Sequence, residues 1–221
     1  MVFGASLNLW EPIEGFSASR QYNNLLGYTA LAAAFITFIV NGYHKQKVFT
    51  LKAFTALVLG VAILAPTIIS LVREPVRYPP IHDISTDTAT PPSFIFLDDD
   101  RPGAKNTLKY EGKEIAQQQQ AYPNVKPLLT SLSVEDSYQK SLLLAEKMGW
   151  EIVYEDPQKV FFEATAYTTF FHFADDVIIR ISEQVNGSKI DIRSVSRIGR
   201  GDRGVNAQRI NRFINEFKQT K

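Results

Sequence analysis

Two long uncharged stretches dominate the first third of the chain. Leu25–Val40 holds 16 residues without a charge and Ala53–Val72 holds 20. A helix needs about 20 apolar residues to cross a bilayer core of roughly 30 Å. Neither stretch has the polar face that a soluble surface helix carries, which argues against the alternative of two buried core helices. We therefore predict a transmembrane helical hairpin over residues 25–73.

The basic residues around the hairpin indicate its orientation. The connection between the spans carries Lys45, Lys47 and Lys52, whereas three arginines lie outside the pair. Lysine and arginine in short loops remain cytoplasmic. We therefore expect the loop to face the cytoplasm and the C-terminal part of the chain to lie on the other side of the membrane. The outer arginines are Arg20, Arg73 and Arg77.

The chain changes character after the second span. Five prolines fall within residues 73–94, and proline excludes a regular helix or a central strand. Residues 74–132 are therefore predicted to form a proline-rich extended arm followed by loops. Residues 1–24, before the hairpin, form a separate N-terminal segment.

Regular patterning begins at Ser133 and defines a domain over residues 133–221. A helix is predicted from Ser133 to Gly149, and a second helix from Val205 with an apolar face. Four alternating segments between them predict strands, the last two joined by the Asn-Gly turn of VNGSK. The predicted fold class is α+β: the helical hairpin, then a four-stranded antiparallel sheet with two helices covering one face. The strand segments are WEIVYED, KVFFEATAYTTF, DDVIIRISEQ and KIDIRSVS.

Period-two alternation gives the predicted sheet one apolar and one polar face. The polar face carries Glu163, Tyr167, Arg180 and Asp191. Such a mixture is typical of a solvated face with weak cross-strand ion pairs. The alternative is a polar platform that contacts a ligand or a partner.

A glycine-rich turn between the last strand and the last helix carries most of the candidate chemistry. Six arginines lie between Arg193 and Arg212, against one acid, Asp202. Glycines at 199, 201 and 204 permit a tight turn, and a helix N-terminus with arginine forks suits a phosphate or carboxylate. Alternatively, Asp202 caps the helix and nearby acids neutralise the arginines. The candidate anion-binding residues are Arg193, Arg197, Arg200, Arg203 and Arg209.

Composition and missing motifs argue against several kinds of partner and active site. A net charge of +1 gives no reason to expect nucleic acid, and the absence of cysteine excludes disulfides and thiolate sites. No nucleophile elbow, zinc-protease helix or Walker loop is present. His82, Asp83 and Asp87 are possible metal ligands, but acids that cap local turns are the preferred interpretation, so no metal or cofactor is predicted. A hydrolase using Asp83, Asp87, Asp175 and Asp176 is the alternative function.

Four segments together resemble the DUF1499 family of bacterial proteins, over roughly residues 77–217. They are YPPIHDISTDTATPPSF, AYPNVKPL, DDVIIRI and GSKIDIRSVSRIGRGDRGVNAQRI. The family name denotes unknown function, so the resemblance implies no mechanism. Many relatives carry three membrane helices. Residues 4–24 look like the end of a first helix and its outer loop, so we expect either a truncated start or a version with two spans.

These observations together lead to one functional expectation. The chain is expected to be anchored in the bacterial inner membrane, in contact with lipid, with its C-terminal domain in the periplasm. It is predicted to be a non-enzymatic binding or envelope-assembly module that recognises an anionic ligand or a protein partner.

Overall fold

A computed structural model describes residues 1–44, 47–74 and 76–219. The described chain forms two compact units. The first comprises Met1–Arg77 with Phe170–His172, and the second comprises Tyr78–Thr169 with Phe173–Lys221. The lysine at position 45, on which part of the orientation prediction rests, lies outside the described residues.

The first unit is built on two long helices, α1 (Pro12–His44) and α2 (Lys47–Val72). Both are long and apolar enough to cross a bilayer, with candidate spans at Pro12–Tyr43 and Leu51–Val72. The helix α1 begins well before the predicted span because Pro12 occupies its first position, where proline is favoured. Much of the predicted N-terminal segment is therefore helical.

Small residues let α1 and α2 pack closely. A Cβ atom added to Gly27 would lie 2.4 Å from Cγ of Leu64, and one added to Gly60 would lie 2.9 Å from Cδ2 of Leu31. The hydroxyl of Thr67 also donates a hydrogen bond to Oδ1 of Asn24 at 2.6 Å. Close backbone approach and polar bonds between helices are the usual stabilising features of helix pairs in lipid.

The second unit contains a six-stranded antiparallel sheet rather than the four strands predicted. The predicted meander β3–β4–β5–β6 is present, and two unpredicted short strands, β1 and β2, both pair with β6. Three helices, α3, α4 and α5, accompany the sheet instead of two. The bounds are β1 Asp83–Ser85, α3 Ile115–Ala121, β2 Leu128–Thr130, α4 Val134–Lys147, β3 Glu151–Asp156, β4 Phe161–Tyr167, β5 Ala174–Gln184, β6 Gly187–Ser196 and α5 Val205–Gln219.

The helices α4 and α5 cover the apolar face of the sheet, as predicted. Ser133 caps α4 by accepting a hydrogen bond from the amide of Asp136 at 3.0 Å, and Gly149 follows the helix with a φ of 78°. Trp150 stacks on Phe213 of α5 at 5.5 Å between ring centroids. Full burial of such side chains stabilises the fold by about 1.5–3 kcal/mol each.

The opposite, polar face of the sheet is also covered. Residues 86–110, which we call the strap, run across it after β1. Glu163 and Asp191 on this face are fully buried, and Arg193 is 1% exposed. The segment predicted as an extended arm therefore supplies the second covering layer, and the predicted solvated face is an interior. Hydropathy missed this layer because it is held to the sheet by charged and polar groups.

A candidate anion-binding cleft

Arg193 is the central connection between the strap and the sheet. Its guanidinium forms two bonds to Asp83, at 2.9 and 2.7 Å, and donates to the carbonyls of Pro92 and Leu108. The same group lies over the ring of Tyr110, 5.1 Å from its centroid. Four of its five N–H donors bond to groups within the chain, so Arg193 connects the strap and β1 to β6.

A second buried cluster centres on Asp176 of β5. Arg101 of the strap donates to it at 2.5 Å, and Arg197 donates to both of its oxygens at 3.1 Å from Nε and to Oδ1 at 2.8 Å. Arg197 also donates to the hydroxyl of Thr165 and the carbonyl of Pro102. Two cations surround one fully buried carboxylate, which again connects the strap to the sheet.

On the helix side of the sheet, Arg209 is engaged in the same manner. It donates to Asp175 at 2.5 Å and to the hydroxyl of Ser194 at 3.0 Å. Asp202 occupies the N-terminus of α5, where it accepts from the amides of Gly204 and Asn206 at 2.8 and 2.7 Å. Burial raises the pKa of the Asp202 carboxyl above its usual value. This helix end is therefore occupied by the chain's own carboxylate.

The predicted arginine site thus divides into two groups. Arg193, Arg197 and Arg209 are bound to internal acids, which matches the structural alternative. Arg200 is exposed, and within the described part of the chain no acid forms an ion pair with it. Arg203 is also exposed and adopts a left-handed backbone with a φ of 53°, but unlike Arg200 it has an interaction within the chain. Anion recognition by the turn stays a prediction for these two residues.

The strap covers much of the sheet face that was predicted as a polar platform. Glu163 accepts from the backbone amides of residues 95–97, and Asp191 lies beside Lys189 at 3.0 Å. Arg180 donates to the carbonyl of Thr90 of the strap. Tyr167, which donates to Glu151 at 3.3 Å, and the side chain of Arg180 are both partly exposed at the margin of this face. The strap therefore covers the part of this face that carries Glu163 and Asp191.

The four acids of the alternative hydrolase are not brought together. Asp83 binds Arg193, Asp175 binds Arg209, and Asp176 binds two arginines. Asp87 accepts from the amide of Thr90 and from Lys189, and these bonds hold the pKa of its carboxyl well below the usual range despite the opposing effect of burial. A carboxylate held as an anion in this way, as that of Asp87 is, is a poor general acid.

A cleft of about 210 Å³ lies beside the strap, where β1 begins and α3 approaches. It is bounded by the segment that enters β1 and by residues 105–114. The turn after β6 forms its border, because the side chain of Asn106 donates to the carbonyl of Gly199 at 2.9 Å. The lining residues relevant to ligand binding are His82, Lys105, Asn106, Lys109, Tyr110 and Glu114.

His82 and Glu114 form the floor of the cleft. One oxygen of Glu114 accepts from the backbone amide of His82 at 3.4 Å, and the other lies 3.6 Å from Nδ1 of the imidazole. This second separation is within ion-pair range but exceeds a hydrogen bond, so the buried Nδ1 has no hydrogen-bond partner among the described residues. A buried polar nitrogen in this state is costly unless a further group satisfies it.

Tyr110 and two lysines provide the remaining donors. Burial, reinforced by Asp83, raises the pKa of Tyr110 to about 12, so its phenol stays protonated at neutral pH. Its hydroxyl has no hydrogen-bond partner among the described residues, nor do Lys105 and Lys109 form an ion pair there. Glu111 and Lys113 at the rim pair with each other. Among the described residues, Lys105 and Lys109 are thus cations of the cleft without an acidic partner, and Glu114 is its carboxylate without a lysine or arginine partner.

Sequence reasoning missed the cleft, although its components were visible. The sequence offers His82, Asp83 and Asp87 as possible metal ligands, but in the fold they contact Glu114, Arg193 and Lys189 respectively. The segment KYEGKE falls within residues 74–132, for which the sequence predicts an extended arm and loops. Its clustered lysines and tyrosine were the only available signal, and nothing local placed them beside His82.

The fold and the cleft define a class: an α+β domain with an antiparallel sheet, covered on both faces and preceded by two apolar helices. The family model described as a protein of unknown function, DUF1499, matches residues 83–217. The chain therefore belongs to the DUF1499 family, as the sequence resemblance indicated. No curated protein matches the chain.

Proposed function

We propose that this protein is a membrane-anchored binding module whose C-terminal domain lies in the periplasm and binds a small anion in the cleft. The supporting observation is the charge of the cleft. Asp83 and Glu111 pair with Arg193 and Lys113, and Glu114 lies beside His82, whereas no acid among the described residues pairs with Lys105 or Lys109.

The donors of the cleft suit phosphate or carboxylate. The phenol of Tyr110 can donate one hydrogen bond, and the two ammonium groups supply charge-assisted bonds, which are about twice as strong as neutral ones. Arg200 lies one residue beyond Gly199, whose carbonyl is bound by Asn106 of the cleft. Arg200 does not line the cleft, and we propose it only as a neighbouring cation from the predicted turn.

A hydrolase is less well supported. The aliphatic hydroxyl that lines the cleft, that of Thr107, donates to Asp99 at 2.7 Å. Activation of a nucleophile needs a base within hydrogen-bond reach of it. Asp99 is within reach of Thr107, but the amide of Leu108 lowers the pKa of its carboxyl, and a carboxylate with a lowered pKa is a weak base. Binding without chemistry is the function that this geometry favours.

The test uses the full chain in detergent and inorganic phosphate as the probe. Lys105→Gln with Lys109→Gln should weaken phosphate binding at least tenfold by calorimetry, because both cations are removed. Lys126→Gln with Lys147→Gln removes the same charge from exposed positions away from the cleft and serves as the control. Phosphate at ten times its Kd should also raise the free energy of unfolding of the parent by about 1.4 kcal/mol, because it binds only the native state.

Equal phosphate binding by the parent and the cleft variant would contradict the proposal. Equal weakening in the cleft variant and the control would show that phosphate responds only to net charge. Acetate, tested in parallel, distinguishes a site for carboxylates from one for phosphates.

A further inference from the structure

Two large apolar side chains stand exposed on the strap. Ile95 is 62% exposed and Phe96 is 55% exposed. Single exposed apolar residues are ordinary on protein surfaces, whereas adjacent ones held in one conformation need a reason.

The conformation of this segment is fixed by a buried charge. Glu163 is fully buried, and its carboxylate accepts from the amides of Ile95, Phe96 and Leu97 at 2.5, 3.0 and 2.7 Å. Burial of a carboxylate costs several kcal/mol unless its oxygens are well satisfied. Three successive amides satisfy it and so hold Ile95 and Phe96 outward with little freedom, which lowers the entropy cost of contacting a partner.

The apolar surface continues onto the edge of the sheet. The ring of Phe96 stacks on Tyr154 of β3, with 5.0 Å between centroids and 9° between planes. Tyr154 lies opposite Glu163 and therefore points to the strap side of the sheet. Ile95, Phe96 and Tyr154 together form what we call the edge patch, and β3 is the outermost strand.

Acids surround the edge patch. Asp98 and Asp100 follow it along the strap, and Glu151 and Asp156 lie on the same face of β3 as Tyr154. Lys159 pairs with Asp156, and Arg101 is directed inward to Asp176. The amide of Lys159 holds the pKa of Asp156 below its usual value, so this carboxylate stays charged at neutral pH.

This charge pattern selects the occupant. A second copy would bring the same acids against one another, and like charges facing each other destabilise a contact. An anionic lipid surface would be repelled for the same reason. A protein surface with apolar side chains between lysines or arginines complements both the patch and its rim.

We propose that the edge patch is a docking site for a basic, apolar segment of a partner protein. The apolar anchors supply the buried core of the interface, and the acids form its polar rim. This site is separate from the cleft and uses none of the cleft residues.

The test uses the full chain in phosphatidylcholine nanodiscs, with empty nanodiscs as the reference. The probe is a synthetic amphipathic peptide of leucine and lysine. Ile95→Ser with Phe96→Ser should weaken binding at least tenfold. Leu129→Ser with Leu143→Ser, which are 68% and 65% exposed, removes equal apolar surface elsewhere and should leave binding unchanged.

Charge is tested separately. Asp98→Asn with Asp100→Asn should reduce the salt dependence of peptide binding, because rim charges act chiefly through long-range attraction. A leucine–glutamate peptide should not bind. Equal weakening by the patch variant and its control, or equal binding of both peptides, would overturn the proposal. Self-association or adhesion to phosphatidylglycerol vesicles that the patch variant abolishes would overturn it in favour of a second copy or of lipid.

Discussion

The substitution Glu163→Gln tests whether the strap is held by a buried charge. The change preserves shape but replaces one acceptor oxygen by an amino group. The glutamine oxygen can still face the amides of Ile95 and Phe96, whereas its amino group faces the amide of Leu97, donor against donor.

The magnitude follows from these three bonds. Hydrogen bonds to a charged group contribute about 1.5–3 kcal/mol and neutral ones about 1 kcal/mol. Two bonds are weakened by about 1 kcal/mol each, and loss of the third costs about 2–3 kcal/mol. The neutral glutamine avoids the cost of burying a charge, which offsets roughly 1–2 kcal/mol of this loss. We expect a net destabilisation of about 3 kcal/mol, or about 10 °C in Tm for a domain of this size.

The assay is thermal unfolding of the full chain in detergent, followed by the fluorescence of Trp150 in a Trp10→Phe background. The chain has two tryptophans, so this background reports on the second unit alone. Hydrogen exchange should show faster exchange at residues 95–97. The control is Glu183→Gln on β5, whose exposed side chain should leave Tm unchanged. A Tm for Glu163→Gln within about 1 °C of the parent would refute the reasoning.

Four further predictions concern other parts of the chain. Because the pKa of Asp87 is lowered in the folded state, its contribution to stability is present above the unfolded pKa of about 3.9 and is lost as the pH falls below that value. In urea unfolding, Asp87→Asn should therefore lose less stability than the parent between neutral and acid pH. The same dependence of unfolding free energy on acid pH in both proteins would contradict this prediction. Gly60→Leu should separate α1 from α2, seen as faster proteolysis in detergent, whereas Gly42→Leu, with nothing within 4 Å, should not. Alkaline phosphatase should be active when fused to the C-terminus and inactive when fused after residue 47; the reverse would refute the orientation. A fragment from Arg77 onward should be soluble and unfold cooperatively, because the sheet, its helices and the strap lie within the second unit; precipitation of the fragment alone would contradict this.

Local patterning was sufficient for the parts of the fold built from regular, amphipathic elements. Residue patterning predicted the four strands β3, β4, β5 and β6, and alternation sorted the two faces of β4, β5 and β6. The Asn-Gly turn predicted the pairing of β5 with β6, where Gln184 lies opposite Gly187. The cap at Ser133 and the left-handed Gly149 bounded α4 in the same way. These features depend on residues a few positions apart, so the sequence alone determines them.

The strap, the two short strands and the cleft were decided only by tertiary structure. A three-residue strand shows no period, and β1 is defined by its pairing with β6, where Asp83 lies opposite Val195. Charged side chains such as Glu163 and Arg193 are buried because partners far along the chain satisfy them, and hydropathy cannot show this. The cleft likewise requires His82, Lys105 and Tyr110 to converge from irregular segments, since only the folded chain brings their donors to one place.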